Sequence, residues 1–228
     1  MGEPKGQDVR IAVFDLDRTL TRAGTYIPFL LHCVAAQGRS RLGAVLQGLP
    51  AATAYGFGRE TRAAFKARVL ECSVAGRSRA EVMAWAGVFA GRWLETRIRP
   101  GAHAALARHR AAGDRLVMAT AAFDFYAGLF AEALGFDELI ATASVWEGDR
   151  LRAAVAGENC YGPAKLAAVR ATVAGLNPRP RIVAYSDHHS DFELLRWADE
   201  GVAVNPTTAL RRLAVRYGLK VADWGAAI

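Results

Sequence analysis

The feature that most constrains this chain is a short apolar segment that ends in two acidic residues. Residues 11–14 have the length and composition of a buried strand, and Asp15 and Asp17 follow it, separated by one residue. In α/β sheets, ligands bind beyond the carboxyl ends of the strands. Two carboxylates placed there repel each other, so a hard divalent cation between them and a substrate would stabilise both. The alternative interpretation is a solvated turn, in which Asp is also common.

The hydrophobic pattern divides the chain into a helical part and an alternating part. From Tyr26 to Leu94, apolar residues recur at a helical spacing interrupted by glycines, and Ser78 with Glu81 has the spacing of a capping box. After Pro100, strand patterns alternate with helix patterns, which is typical of a parallel sheet with helices on both faces. We therefore predict an α/β fold: a doubly wound, mainly parallel, Rossmann-like sheet core with an inserted all-helical cap domain. The predicted boundaries place the core at residues 1–22 and 98–228 and the cap at residues 23–97.

Charge and composition narrow the classes of partner and the location. The formal net charge is +7 at pH 7, but Lys and Arg are scattered without a basic block or interleaved aromatic residues, so nucleic acid is not an expected partner. The sequence has no apolar run of about 18 residues that could span a membrane and no signal-peptide pattern. Its three cysteines form no paired motif, which is typical of thiols in a reducing compartment. These features predict a cytoplasmic protein and leave its oligomeric state open.

Four further polar residues lie near the ends of elements predicted downstream. Thr120 follows an apolar strand, Lys165 lies near the start of a helix, and Asp187 and Asp191 follow another strand. Each has an ordinary structural explanation: a capping hydroxyl, a surface lysine, a turn aspartate or an acid at a helix start. Parallel strands place their carboxyl ends at one edge of the sheet, however, so these residues would meet the two acids of the first strand. That joint placement predicts a functional site.

In order and spacing, these residues resemble the four motifs of the haloacid dehalogenase superfamily of phosphohydrolases. Residues 15–20, with the sequence DLDRTL, are similar to the DxDxT motif, and Thr120 to the Ser/Thr motif. Lys165 is similar to the basic third motif, and Asp187 with Asp191 to the acidic fourth. The resemblance is greatest to the subfamily IB branch, which contains phosphoserine phosphatases with a helical (C1) cap. It implies a Mg²⁺-dependent phosphomonoester hydrolase that acts on a small phosphorylated metabolite through an aspartyl-phosphate intermediate.

The resemblance also implies a role for each residue. Asp15 would be the nucleophile and, with Asp187 and the backbone carbonyl of Asp17, a ligand of Mg²⁺. The Asp17 side chain would be the general acid and then the general base. The remaining residues would bind the phosphoryl group or orient a residue that does: Thr120, Lys165, Arg18 and, behind Lys165, Asp191.

Two departures from the phosphoserine phosphatase pattern make phosphoserine an unexpected substrate. Gly24 stands nine positions after Asp15, where those enzymes carry a Glu that pairs with the substrate ammonium. Ala121 and Ala122 follow Thr120, where those enzymes usually carry two glycines. The chain is therefore expected to act on a different phosphate ester.

Residues 41–58 leave a second substrate class open. They form an unusually apolar run with Arg39, Arg41 and Arg59 at its edges, as in helices that lie at membrane interfaces. Some relatives in this branch resemble phosphatidylglycerophosphate phosphatases, so one alternative is a phospholipid head-group phosphatase with peripheral membrane contact through residues 41–58. We favour the interpretation that the run forms the core of the cap. A phosphotransferase with the same intermediate is a further alternative, because it differs only in the acceptor.

Overall fold

A computed structural model of the chain describes residues 10–225. The strands, in chain order, are β1 (Arg10–Phe14), β2 (Arg115–Phe123), β3 (Glu138–Glu147), β4 (Arg150–Ala156), β5 (Arg181–Ser186), β6 (Glu200–Val204) and β7 (Lys220–Ala222). The helices are α1 (Tyr26–Ala36), α2 (Arg41–Gly56), α3 (Arg62–Ser73), α4 (Arg79–Thr96), α5 (Pro100–Ala111), α6 (Asp124–Ala133), α7 (Pro163–Val173), α8 (Phe192–Trp197) and α9 (Thr208–Tyr217). After Pro100 strands alternate with helices, as the hydrophobic pattern predicts, and the short β7 ends this part of the chain.

The described strands form one seven-stranded sheet in the order β4-β3-β2-β1-β5-β6-β7. All neighbouring pairs are parallel except β3 and β4, which form an antiparallel pair at one edge. β1 can lie in the centre because its apolar side chains are buried on both faces of the sheet. The carboxyl ends of β2, β1 and β5 therefore lie side by side.

Hydrophobic side chains pack against both faces of this sheet. On one face, Ile11 and Val13 belong to a cluster with the apolar sides of α7, α8 and α9. On the other face, Phe14 belongs to a larger cluster that includes α5 and α6. Helices therefore cover both faces, which confirms the predicted doubly wound, mainly parallel α/β fold.

Helices α1 to α4 lie between β1 and α5 in the sequence, and α1, α3 and α4 extend the larger cluster. Phe29 of α1 stacks on Tyr126 of α6, with ring centroids 4.7 Å apart. The predicted capping box begins α4: Ser78 Oγ accepts from the Glu81 backbone N–H at 3.3 Å, and the Glu81 carboxylate accepts from the Ser78 N–H at 3.0 Å. Three of the four helices, α1, α3 and α4, are thus packed against one face of the core.

Helix α2 is packed less closely than its apolar sequence predicts. Only Gly48 and Ala51 of this helix are buried, whereas Leu42 is 68% and Leu46 56% exposed. An apolar cavity of about 150 Å³ lies beneath α2, where α1 and α3 also line it. The favoured interpretation of residues 41–58 as cap core is wrong, because most of this apolar surface faces outward. No helix within residues 10–225 combines the length and apolarity needed to cross a membrane.

Candidate active site

The chain turns directly after β1, and this turn carries the first candidate residues. Asp15 follows the last residue of β1, and the backbone then makes one wide turn over Leu16–Leu20. Arg18 lies in the left-handed region, with φ 62°, which is uncommon for a residue other than glycine. The buried Thr19 hydroxyl donates to Asp15 Oδ2 at 3.1 Å and accepts from the Asp187 backbone N–H at 2.9 Å. This hydroxyl therefore fixes Asp15 beside the end of β5.

A buried lysine joins two of the candidate acids. Lys165, in the first turn of α7, donates to Asp15 Oδ1 at 2.8 Å and to Asp191 Oδ2 at 2.7 Å. Ser186, the last residue of β5, donates to the same Asp191 oxygen at 2.7 Å. All four residues are buried. The fold thus brings together, at the carboxyl edge of the sheet, residues that are far apart in the sequence.

Burial and charge shift the pKa values of this cluster. Burial raises the pKa of Asp15 to about 6, although the Lys165 ammonium opposes that shift. Burial and the neighbouring charge of Asp15 raise the pKa of Asp187 to about 7. Burial alone would lower the pKa of Lys165, but the charges of Asp15 and Asp191 outweigh burial and raise it. The lysine therefore stays a cation, while Asp15 and Asp187 carry more negative charge than their surroundings balance.

This unbalanced pair of carboxylates fits a magnesium ion. Within residues 10–225 Asp187 has no ion-pair partner at 4.0 Å or less, and the Thr19 hydroxyl reaches its Oδ1 only at 3.5 Å. The same residues contain no group of three or more His, Cys, Asp or Glu side chains arranged to hold a metal. Mg²⁺ does not need such a group, because it is usually bound by one or two carboxylates together with water and phosphate oxygens. Asp15 and Asp187 match that donor set, to which Asp17 would add its backbone carbonyl.

Of the other predicted residues, Asp17 and Arg18 line the cleft that contains this centre, whereas Thr120 is not among the residues that line it. Asp17 is half-buried, and its Oδ1 accepts from the Thr25 backbone N–H at 2.7 Å. Thr120 is fully buried within β2, and its hydroxyl accepts from the Ala122 N–H at 3.0 Å. That contact uses the oxygen of the hydroxyl and leaves its O–H available to donate. Arg18 is exposed and lines the same cleft as Asp17.

The cleft in front of these residues has a volume of about 540 Å³. Its acids, which include Asp15 and Asp187, come from the edge of the sheet. Helices α1 and α3 form much of the opposite wall, with apolar side chains such as Ile27 and Phe65 and with two cations from α3. A cleft of this size and mixed lining is typical of sites for small-molecule ligands.

Several residues of the cleft were not predicted from the sequence. Arg62 and Lys66 of α3 line it, and the Arg62 guanidinium lies 4.1 Å from the ring centroid of Tyr161. His188 is half-buried at the rim, where its Nδ1 accepts from the Ser190 N–H at 3.2 Å. Burial lowers the pKa of His188 to about 4. The four-residue spacing of the two α3 cations, which places them on one helix face, is the signal that could have identified this wall.

The sequence model of the haloacid dehalogenase-like hydrolase family matches residues 12–196. This match covers most of the chain and includes every candidate acid and Lys165, so the chain belongs to the haloacid dehalogenase-like hydrolase family. The superfamily and the enzyme class that the sequence motifs predicted, a phosphatase of this type, are confirmed by this match together with the relatives.

Relatives and a solved structure resemble the chain over different lengths. Protein CicA of Caulobacter vibrioides (strain NA1000 / CB15N) is 33% identical over 197 residues, which cover 86% of each chain. Phosphoserine phosphatase SerB1 of Mycobacterium tuberculosis (strain H37Rv) is 29% identical over 153 residues, which cover 66% of this chain and 49% of that protein. The crystal structure of a protein of unknown function from Bordetella pertussis Tohama I is 25% identical, with a TM-score of 0.86, and the match covers 95% of this chain and 99% of that one.

Proposed function

We propose that the chain is a Mg²⁺-dependent phosphomonoester hydrolase that acts on a small phosphorylated metabolite through an aspartyl-phosphate at Asp15. The observation that carries this proposal is the buried Asp15 carboxylate, held at 2.8 Å by Lys165 and facing a cleft of about 540 Å³. Carboxylates form such intermediates when they are positioned and shielded from bulk water. Residues 23–97, which contain α1 to α4, are the proposed cap over this cleft.

The first half of the proposed reaction moves the phosphoryl group to the protein. An Asp15 oxygen attacks phosphorus, the bond between phosphorus and the leaving oxygen breaks, and Asp17 gives that oxygen a proton. Lys165 offsets the negative charge on Asp15 and on the phosphoryl oxygens, and the Thr120 O–H donates to one of these oxygens. Mg²⁺, held by Asp15, Asp187 and the Asp17 carbonyl, would supply the positive charge that lets one anion approach another.

The second half returns the enzyme to its starting state. A water molecule attacks phosphorus, and the bond between phosphorus and the Asp15 oxygen breaks. Asp17, now a carboxylate, takes a proton from that water, and inorganic phosphate leaves. Asp191 keeps Lys165 oriented throughout, since it binds the same ammonium at 2.7 Å.

Phosphoserine is not the substrate that we propose, although one relative is named a phosphoserine phosphatase. Gly24 lines the cleft, and no atom lies within 4 Å of the position that a Cβ would take there. Space for an acidic side chain is therefore present, but the acid that would pair with a substrate ammonium is not.

A phospholipid head group is a second candidate substrate, favoured by the surface around α2. Leu42 and Leu46 are exposed, and residues 38–59 contain several arginines and no Asp or Glu. Exposed apolar side chains with basic neighbours are typical of segments that lie on anionic membranes. The apolar cavity beneath α2 and the catalytic cleft share Ile27 and Phe65, so an acyl chain in the cavity would lie next to a phosphate in the cleft.

Replacement of Asp15 with Asn tests the proposed function. The amide has nearly the same shape but is a far poorer nucleophile, so we expect phosphate release to fall by about a thousandfold or more. The measurement is phosphate release from a panel of phosphorylated metabolites and phospholipids, with and without Mg²⁺. Product analysis with an added alcohol in the same assay separates hydrolysis from transfer to a second acceptor.

Asp149→Asn is the matched control, because Asp149 is exposed on the turn between β3 and β4. It should keep the wild-type rate, and circular dichroism should show both variants folded. A folded Asp15→Asn protein that kept a tenth of the wild-type rate would contradict the role of Asp15.

A further inference from the structure

Lys66 is a buried cation on the wall of the cleft opposite the acids. It belongs to α3 and is only 4% exposed, and it lines the catalytic cleft. Its Nζ donates to the Ala121 carbonyl oxygen at 2.6 Å and to Asn159 Oδ1 at 3.0 Å, and it lies 4.1 Å from the ring centroid of Phe123. No carboxylate lies within 4.0 Å of this Nζ in the described part of the chain.

A buried ammonium without a carboxylate is an unbalanced charge. An ammonium has three N–H donors, of which Lys66 uses two on neutral oxygens. Buried lysines are otherwise almost always paired, as Lys165 is with two carboxylates in the same cleft. In agreement with this imbalance, burial lowers the pKa of Lys66 to about 7. An anion that entered the cleft would stabilise the ammonium and occupy its third donor.

The wall around Lys66 favours an anion over a cation. Among the residues of α1, α2 and α3 that line the cleft, Arg62 and Lys66 are charged and none is acidic. Arg62 stands one turn away on the same helix. The acids of the cleft all belong to the edge of the sheet, where the phosphoryl group and Mg²⁺ are proposed to bind.

We propose that Lys66 binds an anionic group, such as a carboxylate, on the alcohol part of the substrate. The substrate class is then a phosphomonoester that carries a second acidic group, and the Lys66 contact distinguishes it from neutral phosphate esters. This inference rests on the proposed phosphomonoester hydrolysis, because the phosphoryl end of the substrate must lie at Asp15.

The test compares acidic and neutral esters of matched length. The acidic probes are 2-phosphoglycolate and 3-phosphonooxypropanoate, and the neutral probes are ethyl and propyl phosphate. Each ratio of kcat/KM, acidic over neutral, is measured for the wild type, Lys66→Met and Lys66→Arg. A charge-assisted hydrogen bond of about 1.5–3 kcal/mol corresponds to a factor of about 10 to 100. We expect the wild type to prefer the acidic probe of at least one pair, Lys66→Met to lower that ratio by about tenfold or more, and Lys66→Arg to restore part of it.

A second variant separates binding from a structural role. The Thr142 hydroxyl lies at 2.9 Å from the Ala121 carbonyl oxygen and at 3.0 Å from Asn159 Oδ1, so it shares the acceptors of Lys66. Thr142→Val weakens this network but keeps the ammonium. If Lys66 only stabilises this network, Lys66→Met and Thr142→Val each lower kcat/KM for acidic and neutral probes by the same factor. That result would overturn the inference.

Two further outcomes distinguish this inference from the proposed function. If the wild type hydrolyses the neutral esters through Asp15 but shows no preference for the acidic ones, the role of Lys66 fails while the proposed function stands. If the wild type hydrolyses none of the four probes, nor any ester of the wider panel, both fail together.

Discussion

Asp187 carries the charge that the proposed magnesium ion would balance. Its carboxylate is buried near Asp15, without an ion-pair partner of its own within residues 10–225. Replacement with Asn keeps the size of the side chain and removes the charge. Because changes that only surround metal ligands already cost 10- to 100-fold in affinity, we expect the Mg²⁺ concentration for half-maximal activity to rise by about tenfold or more. The measurement is a Mg²⁺ titration of the initial rate.

Asp149→Asn again serves as the comparison for this titration, since Asp149 is exposed and is not among the residues that line the cleft. Its Mg²⁺ dependence should match that of the wild type. If Asp187→Asn titrated with Mg²⁺ as the wild type does, Asp187 could not be a ligand.

At the scale of single residues, the positions of Asp15 and Asp187 at the sheet edge could be predicted, and the burial of the α3 cation Lys66 could not. Asp15 and Asp187 directly follow strands, so the chain itself places them at the carboxyl edge of the sheet. Lys66 occurs inside a helix, where a lysine usually faces solvent. Its burial depends on the carbonyl of Ala121 and the side chain of Asn159, which lie far along the chain. No local pattern encodes such contacts.

At the scale of elements, the strands were predictable because they are buried on both faces, and the burial of α2 was not. β1, β2 and β5 appear in the sequence as continuous apolar runs, as expected for central parallel strands. Thr120 was expected to follow the strand, but it lies within β2, because Ala121 and Ala122 continue the apolar pattern as far as Phe123. β7 has three residues, too few for a period to be seen. α2 is apolar on most sides, so its sequence shows a helix without showing which face is buried.

The exposed side of α2 leads to a prediction about membranes. Leu46 is 56% exposed, and we expect Leu46→Asp to reduce binding to vesicles of phosphatidylglycerol and phosphatidylcholine, since a charge at the interface opposes both insertion and attraction to anionic lipid. The measurement is co-sedimentation at low ionic strength. Val215→Asp is the matched control, because Val215 is 79% exposed on α9, outside the helical segment. If the wild type fails to sediment with these vesicles, the phospholipid alternative is wrong.

At the scale of the whole molecule, the chain has a positive net charge, yet Asp15, Asp187 and their acidic neighbours lie together at the carboxyl edge of the sheet. The formal net charge is +7, yet burial raises the pKa of Asp15 to about 6 and that of Asp187 to about 7, from 3.8 for both in an unfolded chain. Between about pH 3.8 and pH 7, the folded protein therefore binds more protons at these two carboxylates than the unfolded chain does. The stability that these two groups contribute is therefore fully present below about pH 3.8 and is lost as pH rises through about 7.

Mg²⁺ and protons then compete for the same carboxylates, which makes thermal stability a test of the metal site that does not depend on activity. A bound ion stabilises the folded state by mass action, so we expect Mg²⁺ to raise Tm by more at about pH 8, where Asp15 and Asp187 are ionised, than at about pH 5, where protons must first be displaced. The measurement is thermal unfolding with and without Mg²⁺ at both pH values. Asp187→Asn should lose most of the rise in Tm at the higher pH, whereas Asp149→Asn should keep it. If Tm rose equally at both pH values, or if Asp187→Asn kept the full rise, Mg²⁺ would bind elsewhere on the protein. The two buried carboxylates would then have no bound cation to balance their charge.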